Sequence, residues 1–341
     1  MSDPTPYACR TLDCPMAGVD IPPAAAAQAG FRCWLCQQPL QTRDEAPAPA
    51  DAPQWPPGLA PADLPTYLAH PWAAYWLERH PRLKLLWLIE AAEVAVRWST
   101  AVVLAEVLHG HGGDLPETVA ASVREHVERP TLGRWLMILA ALSRERPARP
   151  PLAPAVFDLS AAVFAPRFRT QAHGGTAADS LLVLRNQVVH GGGLSWAAAD
   201  ALAQAHRDGF HKLLRRVAEA TAPAETIAVR HHEARRLRGL TPEPIPLPEA
   251  LAGAGDGVWL TAAGDRRRLF PLLDYGPVRR LGDGGQLTAL PGDAAAQVYF
   301  RSDRQRLSYL PLGRDEALSE NADVAAFRAL FRLDEAPRRP A

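Results

Sequence analysis

The segment with the clearest potential for chemistry is LLVLRNQVVHGGG, residues 181–193, where three polar side chains interrupt an apolar helical pattern. Asn186 and His190 are four residues apart and share one helix face, while Arg185 lies about 140° round the helix from His190. Because the arginine side chain is long enough to reach back, the three groups could converge on one phosphate. His190 would act as acid or base on a ribose hydroxyl or a leaving oxygen, and Arg185 would neutralise charge that develops on phosphorus. Asn186 would orient one of those groups by hydrogen bonding.

A structural role is an alternative interpretation of the same residues. His190 followed by Gly191 is typical of a helix C-terminus, where a cation is favoured at the negative end of the helix dipole and glycine adopts the left-handed cap. Helical bundles also serve as binding or dimerisation modules without catalysis. Residue types alone leave both interpretations open.

The spacing of these residues resembles a family motif. Arg185, four intervening residues that begin with Asn186, and His190 resemble the R-x4-6-H motif of the HEPN superfamily, helical-bundle proteins of prokaryotic defence and toxin systems. The segment PTLGRWL, residues 130–136, is similar to one that precedes this motif in some large HEPN-like bacterial proteins. The resemblance implies a metal-independent endoribonuclease that leaves 2′,3′-cyclic phosphate ends, and a homodimer in which two motifs meet across the interface.

The four cysteines of the chain, Cys9, Cys14, Cys33 and Cys36, are spaced as C-x4-C, an eighteen-residue spacer and C-x2-C. In a reducing compartment such a cluster favours a metal site over disulfides, because the thiolates stay able to bind metal. Four sulfur ligands suit a tetrahedral Zn²⁺, and a closed shell leaves no position for substrate. The sequence therefore predicts a structural zinc in a knuckle or ribbon, with disulfides or chance clustering as the alternatives.

A basic run near residue 230 is a weaker candidate for contact with an RNA backbone. Its members are Arg230, His231, His232, Arg235 and Arg236. Runs of this kind are more often a solvated helix face, so charge pattern alone leaves RNA contact as one of two interpretations.

Other histidines and arginines carry weaker signals. His109 and His111 flank a glycine, and His173 is expected in a loop. The run Arg266–Arg268 is expected at an exposed turn and strand edge.

The pattern of apolar residues along the chain predicts a mainly α architecture, and its elements must position these residues. Helical periodicity begins near residue 63, with one long stretch over residues 82–108, and gives way after Pro223 to short apolar runs separated by glycine. The predicted order is a zinc ribbon over 1–42, a Pro/Ala-rich linker over 43–62, a HEPN-like helical bundle over 63–222, a basic and then Pro-rich connector over 223–254, and a small antiparallel β domain with a closing helix over 255–334.

Composition sets broad limits on function. The formal net charge is zero, so nucleic-acid contact would need local basic patches. The chain has no apolar run of membrane length and no signal-peptide pattern, which predicts a cytoplasmic protein. It also lacks the phosphate-loop, dinucleotide, H-E-x-x-H and G-x-S-x-G motifs. The alternative to a ribonuclease is a non-catalytic dimeric adaptor or sensor whose zinc ribbon and β domain bind a partner protein or nucleic acid.

Overall fold

The computed structural model divides the chain into two compact units, residues 1–55 and 56–341. The residues that it describes are 7–9, 20–33, 40–42, 54–78, 80–145, 151–159, 181–190, 195–281, 286–290, 292, 294–302, 306–313, 319–321 and 324–334.

In the N-terminal unit, three short strands and one helix surround a small apolar core. The elements are β1 (Tyr7–Cys9), β2 (Asp20–Ile21), α1 (Pro23–Gln28) and β3 (Leu40–Thr42). The strands are antiparallel in the order β2-β1-β3. The core residues are Ile21, Ala26, Cys33 and Leu40. A core of this size gives little hydrophobic stabilisation, so a unit like this one normally needs a crosslink or a metal ion as well.

The second unit begins with a series of helices. They are α2 (Thr66–Leu77), α3 (Pro81–Gly110), α4 (Glu117–His126), α5 (Leu132–Leu142), α6 (Pro154–Leu159), α7 (Leu181–His190) and α8 (Trp196–Thr221). The helical pattern predicted from the sequence is therefore confirmed over these residues.

Helix α3 is the central element of this unit. It packs against α2, α5 and α8, and every residue in 94–107 is buried. At its start, Nδ1 of His80 accepts a hydrogen bond from the backbone N–H of Leu83 at 3.3 Å, which satisfies one of the otherwise unpaired donors of the first turn. At its end, Gly112 and Gly113 adopt φ values of 71° and 101°, a region that favours glycine.

The β region follows the helices. Its elements in chain order are β4 (Glu225–Arg230), β5 (Glu233–Arg236), β6 (Glu243–Ile245), β7 (Gly257–Ala262), β8 (Asp265–Arg268), β9 (Leu273–Gly276), β10 (Arg279–Leu281), β11 (Leu287–Ala289), β12 (Ala295–Ser302), β13 (Leu307–Pro311), β14 (Ser319–Asn321) and the closing helix α9 (Val324–Leu330). They form a five-stranded sheet β6-β5-β4-β7-β8, a four-stranded sheet β14-β13-β12-β9 and the pair β10-β11. All of the described strand pairs are antiparallel, as the sequence predicted for residues 255–334.

Buried tyrosines join the helices to the sheets. The hydroxyl of Tyr299 on β12 donates a hydrogen bond to the carbonyl of Val127 at 2.8 Å, and that of Tyr67 on α2 donates to the carbonyl of Asp274 at 2.8 Å. Helix α3 also contacts β8 and β12 directly. The helices and the β region thus share one packed unit.

The predicted connector over residues 223–254 is not supported, because β4, β5 and β6 lie within it. His231 and His232 form the two-residue turn between β4 and β5, with φ values of 50° and 67°. Such turns normally contain Asn-Gly, so the sequence carries no recognisable hairpin signal here. Pro244 is accommodated because β6 is an edge strand, where a missing N–H is tolerated.

Among the helices that the structure describes, none combines the length and the apolar character needed to cross a bilayer.

Candidate functional site

Helix α7 carries the Arg185, Asn186 and His190 segment and packs against α3. The side chain of Arg185 is 23% exposed, and Asn186 is exposed beside it. Nη1 of Arg185 donates a hydrogen bond to Oδ1 of Asn186 at 3.3 Å. His190 ends the helix one turn beyond Asn186, and its side chain lies outside the described part of the chain. The structure thus brings Arg185 and Asn186 together at the edge of the helical layer.

Glu93 on α3 is a partner of this segment that the sequence analysis missed. Its Oε1 accepts a hydrogen bond from Nε of Arg185 at 3.3 Å, and its Oε2 accepts one from Nη2 of Arg97 at 3.2 Å. The Glu93 side chain is only 18% exposed, so water screens its charge weakly and it acts on both guanidinium groups. Glu93 therefore restrains the orientation of Arg185.

Arg97 is the buried member of this cluster. Its Nε and Nη1 have no hydrogen-bond partner among the described residues, and its guanidinium lies 5.7 Å from the centroid of the Phe300 ring. Burial lowers the pKa of Arg97, while the carboxylates of Glu93 and Glu90 oppose that shift. A cation with unused donors is thus linked to Arg185 through a single carboxylate.

Glu90 is the fourth charged residue of the group. Burial raises its pKa from the ordinary value of 4.5; Arg97 opposes this shift, and the negative charge of Glu93 adds to it. Glu90, Glu93, Arg97 and Arg185 thus form one cluster of two carboxyl and two guanidinium groups on α3 and α7. Arg185 is its partly exposed cation, and a guanidinium at such a position is suited to contact an anion such as a phosphodiester.

A signal in the sequence could have identified the α3 residues. Glu90, Glu93 and Arg97 follow one another at spacings of three and four, so they share one stripe of a helix that is otherwise strongly apolar. Polar residues at buried helical positions need partners. The same physical reason that makes Arg185 conspicuous in α7 therefore makes Glu93 and Arg97 conspicuous in α3.

The predicted zinc ligands are only partly described. Cys9 ends β1, where its Cα pairs with that of Leu40, and Cys33 is buried in the small core of the N-terminal unit. Cys14 and Cys36 lie outside the described residues. Within the described residues alone, no three His, Cys, Asp or Glu side chains are grouped in a way that would hold a metal. With two of its four ligands outside that range, the zinc site stays a prediction.

The structure does not gather the predicted basic run into one patch. His231 and His232 are exposed at the hairpin turn, whereas Arg230 packs its guanidinium against Gly276 of β9. Arg236 forms ion pairs with two carboxylates, Glu225 at 3.0 Å and Glu243 at 3.1 Å. Arg235 precedes Arg236 on β5, the strand between β4 and β6, and is partly exposed. The run therefore lies on two strands and the turn between them, and not on the solvated helix face that such runs usually form.

The weaker candidates from the sequence lie in several places. His109 is exposed near the end of α3, and His111 is the residue that follows this helix. His173 lies outside the described residues. Arg267 differs from the expectation of an exposed strand edge, because its side chain is 3% exposed and pairs with Glu106 at 2.9 Å.

Comparisons with protein-family models, with curated proteins and with solved structures found no match to this chain.

Proposed function

We propose that the protein is a metal-independent endoribonuclease of a prokaryotic defence or toxin system, with Arg185, Asn186 and His190 as its catalytic residues. The observation that carries the proposal is the position of Arg185, which is partly exposed, restrained by Glu93 and adjacent to the exposed Asn186. The resemblance of the motif to HEPN ribonucleases supports the same assignment.

In this mechanism the chain's own side chains perform every step. His190 removes the proton from a ribose 2′-hydroxyl and then, as imidazolium, returns it to the leaving 5′-oxygen, because imidazole titrates near neutral pH. The 2′-oxygen attacks phosphorus, the bond to the 5′-oxygen breaks, and a 2′,3′-cyclic phosphate is left. Arg185 stabilises the charge on the phosphoryl oxygens, and Glu93 holds Arg185 in that orientation.

A homodimer through the helical layer is part of the proposal. Leu83 and Leu86 are 46% and 45% exposed and lie on the same stripe of α3 as Glu90 and Glu93. Exposed leucines at this spacing suit a contact with a second copy of the chain. Such a contact would bring two Arg185 segments towards one another, as the resemblance to the family implies.

The test is cleavage of a mixed pool of structured and single-stranded RNA in EDTA. We expect the wild type to cleave, His190→Ala to lose activity by about 100-fold or more, as removal of a general acid or base does, and His111→Ala, an exposed histidine at the end of α3, to match the wild type. Cleavage that disappears in EDTA, or that survives in His190→Ala, would contradict the proposal.

The alternative function is a non-catalytic dimeric adaptor or sensor. One observation favours it: Glu93 shares its carboxylate between Arg97 and Arg185, an arrangement that also occurs in purely structural ion-pair networks. The same experiment separates the two functions. A folded, dimeric wild type that cleaves no RNA would favour the adaptor, with the N-terminal unit or the β region as its binding surface for a partner protein or nucleic acid.

We also propose that Cys9, Cys14, Cys33 and Cys36 bind one structural Zn²⁺. The fit rests on the N-terminal unit: Cys9 pairs with Leu40, whose N–H donates to the carbonyl of Phe31 at 2.8 Å, so the segments that carry Cys9 and Cys33 are neighbours in one small fold. Metal analysis of the purified protein should give about one zinc per chain, and Co²⁺ substitution should give the absorption bands of tetrahedral thiolate coordination. Cys33→Ser should lose both signals. Full zinc content in that variant, or none in the wild type, would contradict the site.

A further inference from the structure

A cavity of about 830 Å³ lies between the end of α3 and the β7–β8 hairpin, and its lining includes none of the described residues of the proposed catalytic cluster. Its lining includes Leu108 and His109 from α3, Trp259 from β7, and Leu330 from α9. Small-molecule sites commonly have volumes of roughly 300–1,000 Å³, so the cavity is large enough to hold a ligand of nucleotide size.

Three consecutive arginines on β8, Arg266, Arg267 and Arg268, line this cavity, and they differ in burial and in contacts. Arg267 is buried and pairs with Glu106 of α3, so its charge is compensated. Arg266 and Arg268 alternate with it along the strand and lie over the Trp259 ring, at 5.4 Å and 5.9 Å from the ring centroid. Arg268 also lies 4.9 Å from the centroid of the Phe270 ring. Contacts with these aromatic rings thus help to hold the guanidinium groups of Arg266 and Arg268 in place.

Within the described residues, Arg266 and Arg268 form no ion pair, although the carboxylate of Asp265 also lines the cavity. Nη1 of Arg266 donates to the carbonyls of Ala250 at 2.9 Å and Ala252 at 3.3 Å, and Nη2 of Arg268 donates to the carbonyl of Asp256 at 3.1 Å. Neutral carbonyls hold each guanidinium in place and leave its positive charge intact. Each guanidinium has five N–H donors, so both retain donors for a ligand. An anion with several oxygens, such as a phosphate, matches two such groups.

The rest of the cavity suits a flat apolar group. Leu108 and Leu330 provide aliphatic contacts, while Trp259 and Phe270 provide aromatic ones. The dipole of α3 places partial negative charge at its C-terminal end, which disfavours a second anion there. The cavity therefore has an anion-binding side and an apolar side that can accept a flat ring.

We propose that this cavity binds a small phosphorylated ligand of nucleotide type, with its phosphate held by Arg266 and Arg268 and its base placed against Leu108 and Leu330. The proposal does not depend on ribonuclease activity at Arg185. It assigns to the β region a ligand-sensing role that is separate from the catalytic cluster.

Calorimetric titration of the full-length protein with ADP, adenosine and inorganic phosphate tests this site. We expect saturable ADP binding and about tenfold or more weaker binding of both adenosine and phosphate, since each lacks one half of the ligand. The double variant Arg266→Gln/Arg268→Gln should weaken ADP binding about tenfold or more. The double variant Arg216→Gln/Arg280→Gln has the same change of charge at exposed positions away from the cavity, and should bind ADP within about twofold of the wild type.

His109→Glu is a second variant, which leaves the hairpin unchanged and adds a negative charge at the exposed end of α3. It should weaken ADP binding as well, and thermal unfolding of each variant checks that it is folded. Absence of saturable ADP binding to the wild type would overturn the proposal, as would ADP binding that survives in the arginine double variant. Phosphate that binds as tightly as ADP would overturn the contact of the base with Leu108 and Leu330. An RNA oligonucleotide that needs these arginines while ADP does not bind would replace the nucleotide with an RNA surface.

Discussion

At the scale of single residues, the proposed site depends on two neighbouring glutamates with different environments. Glu93 accepts hydrogen bonds from two arginines, Arg97 and Arg185. Glu90 lies one turn earlier on α3, where burial raises its pKa. Glu93 is therefore the α3 carboxylate that restrains Arg185.

Glu90 predicts a pH dependence of stability. Because its pKa is raised in the folded state, the folded protein binds the proton more tightly than the unfolded chain does. The stabilising effect of that proton is fully present below about pH 4.5, the ordinary value, and is lost as the pH rises through the raised pKa. Glu90→Gln removes this loss, so we expect it to be more stable than the wild type at pH 8 and to have a smaller advantage at pH 4.

Chemical denaturation at several pH values measures this effect. Glu219→Gln, at an exposed position on α8, is the matched control and should follow the wild type at every pH. A Glu90→Gln variant whose stability difference is constant with pH would show that Glu90 is ionised in the folded protein as it is in the unfolded chain.

At the scale of elements, the sequence predicts the helices well because their signal is local. Helix α3 is apolar over most of its length and ends at a glycine cluster, and both features can be read without knowing the fold. The hairpin β4–β5 could not be predicted, since its turn contains two histidines and Arg230 packs against Gly276 on a distant strand. Glu93 is separated from Arg185 by 92 residues, so no local pattern indicates that pair.

The buried pair Glu106–Arg267 fixes α3 to β8. Oε2 of Glu106 accepts from Nε of Arg267 at 2.9 Å, and Oε1 accepts from the backbone N–H groups of Leu152 at 2.6 Å and Ala153 at 3.3 Å. Glu106→Ala would leave a buried cation and two buried donors without partners. We expect it to lower the free energy of unfolding by about 3–5 kcal/mol.

Two further variants test this interpretation by chemical denaturation. Glu106→Gln keeps an acceptor for the backbone donors and should cost less than Glu106→Ala. Glu243→Ala removes an exposed ion pair with Arg236 and should cost no more than about 1 kcal/mol. Equal losses for Glu106→Ala and Glu243→Ala would contradict the structural role of the buried pair.

At the scale of the whole molecule, the chain consists of a small N-terminal unit and a larger unit in which helices and sheets share a core. The sequence predicts the order of helices followed by antiparallel strands. It does not predict that the helices and strands of the larger unit pack closely together, because that packing depends on contacts between residues distant in sequence, such as Tyr299 and Val127. The proposed dimer belongs to this scale.

The exposed leucines of α3 predict the dimer surface. Leu83→Arg/Leu86→Arg places two charges on that stripe, so we expect a monomer by size-exclusion chromatography with light scattering and a loss of RNA cleavage. Met137→Arg changes a residue that is 50% exposed on α5 and should leave the dimer intact. A wild type that is monomeric at micromolar concentration, or a leucine double variant that stays dimeric, would contradict this surface.

Arg185, Asn186 and His190 are proposed to cleave RNA through the ribose 2′-hydroxyl. End-group analysis tests this with a defined oligoribonucleotide, incubated in EDTA with the wild type, beside the same oligonucleotide with a single 2′-deoxy substitution at the mapped cleavage position. We expect 2′,3′-cyclic phosphate ends from the first substrate and no cleavage at the substituted position of the second. Cleavage at the deoxy position, or products with 3′-hydroxyl ends, would contradict it.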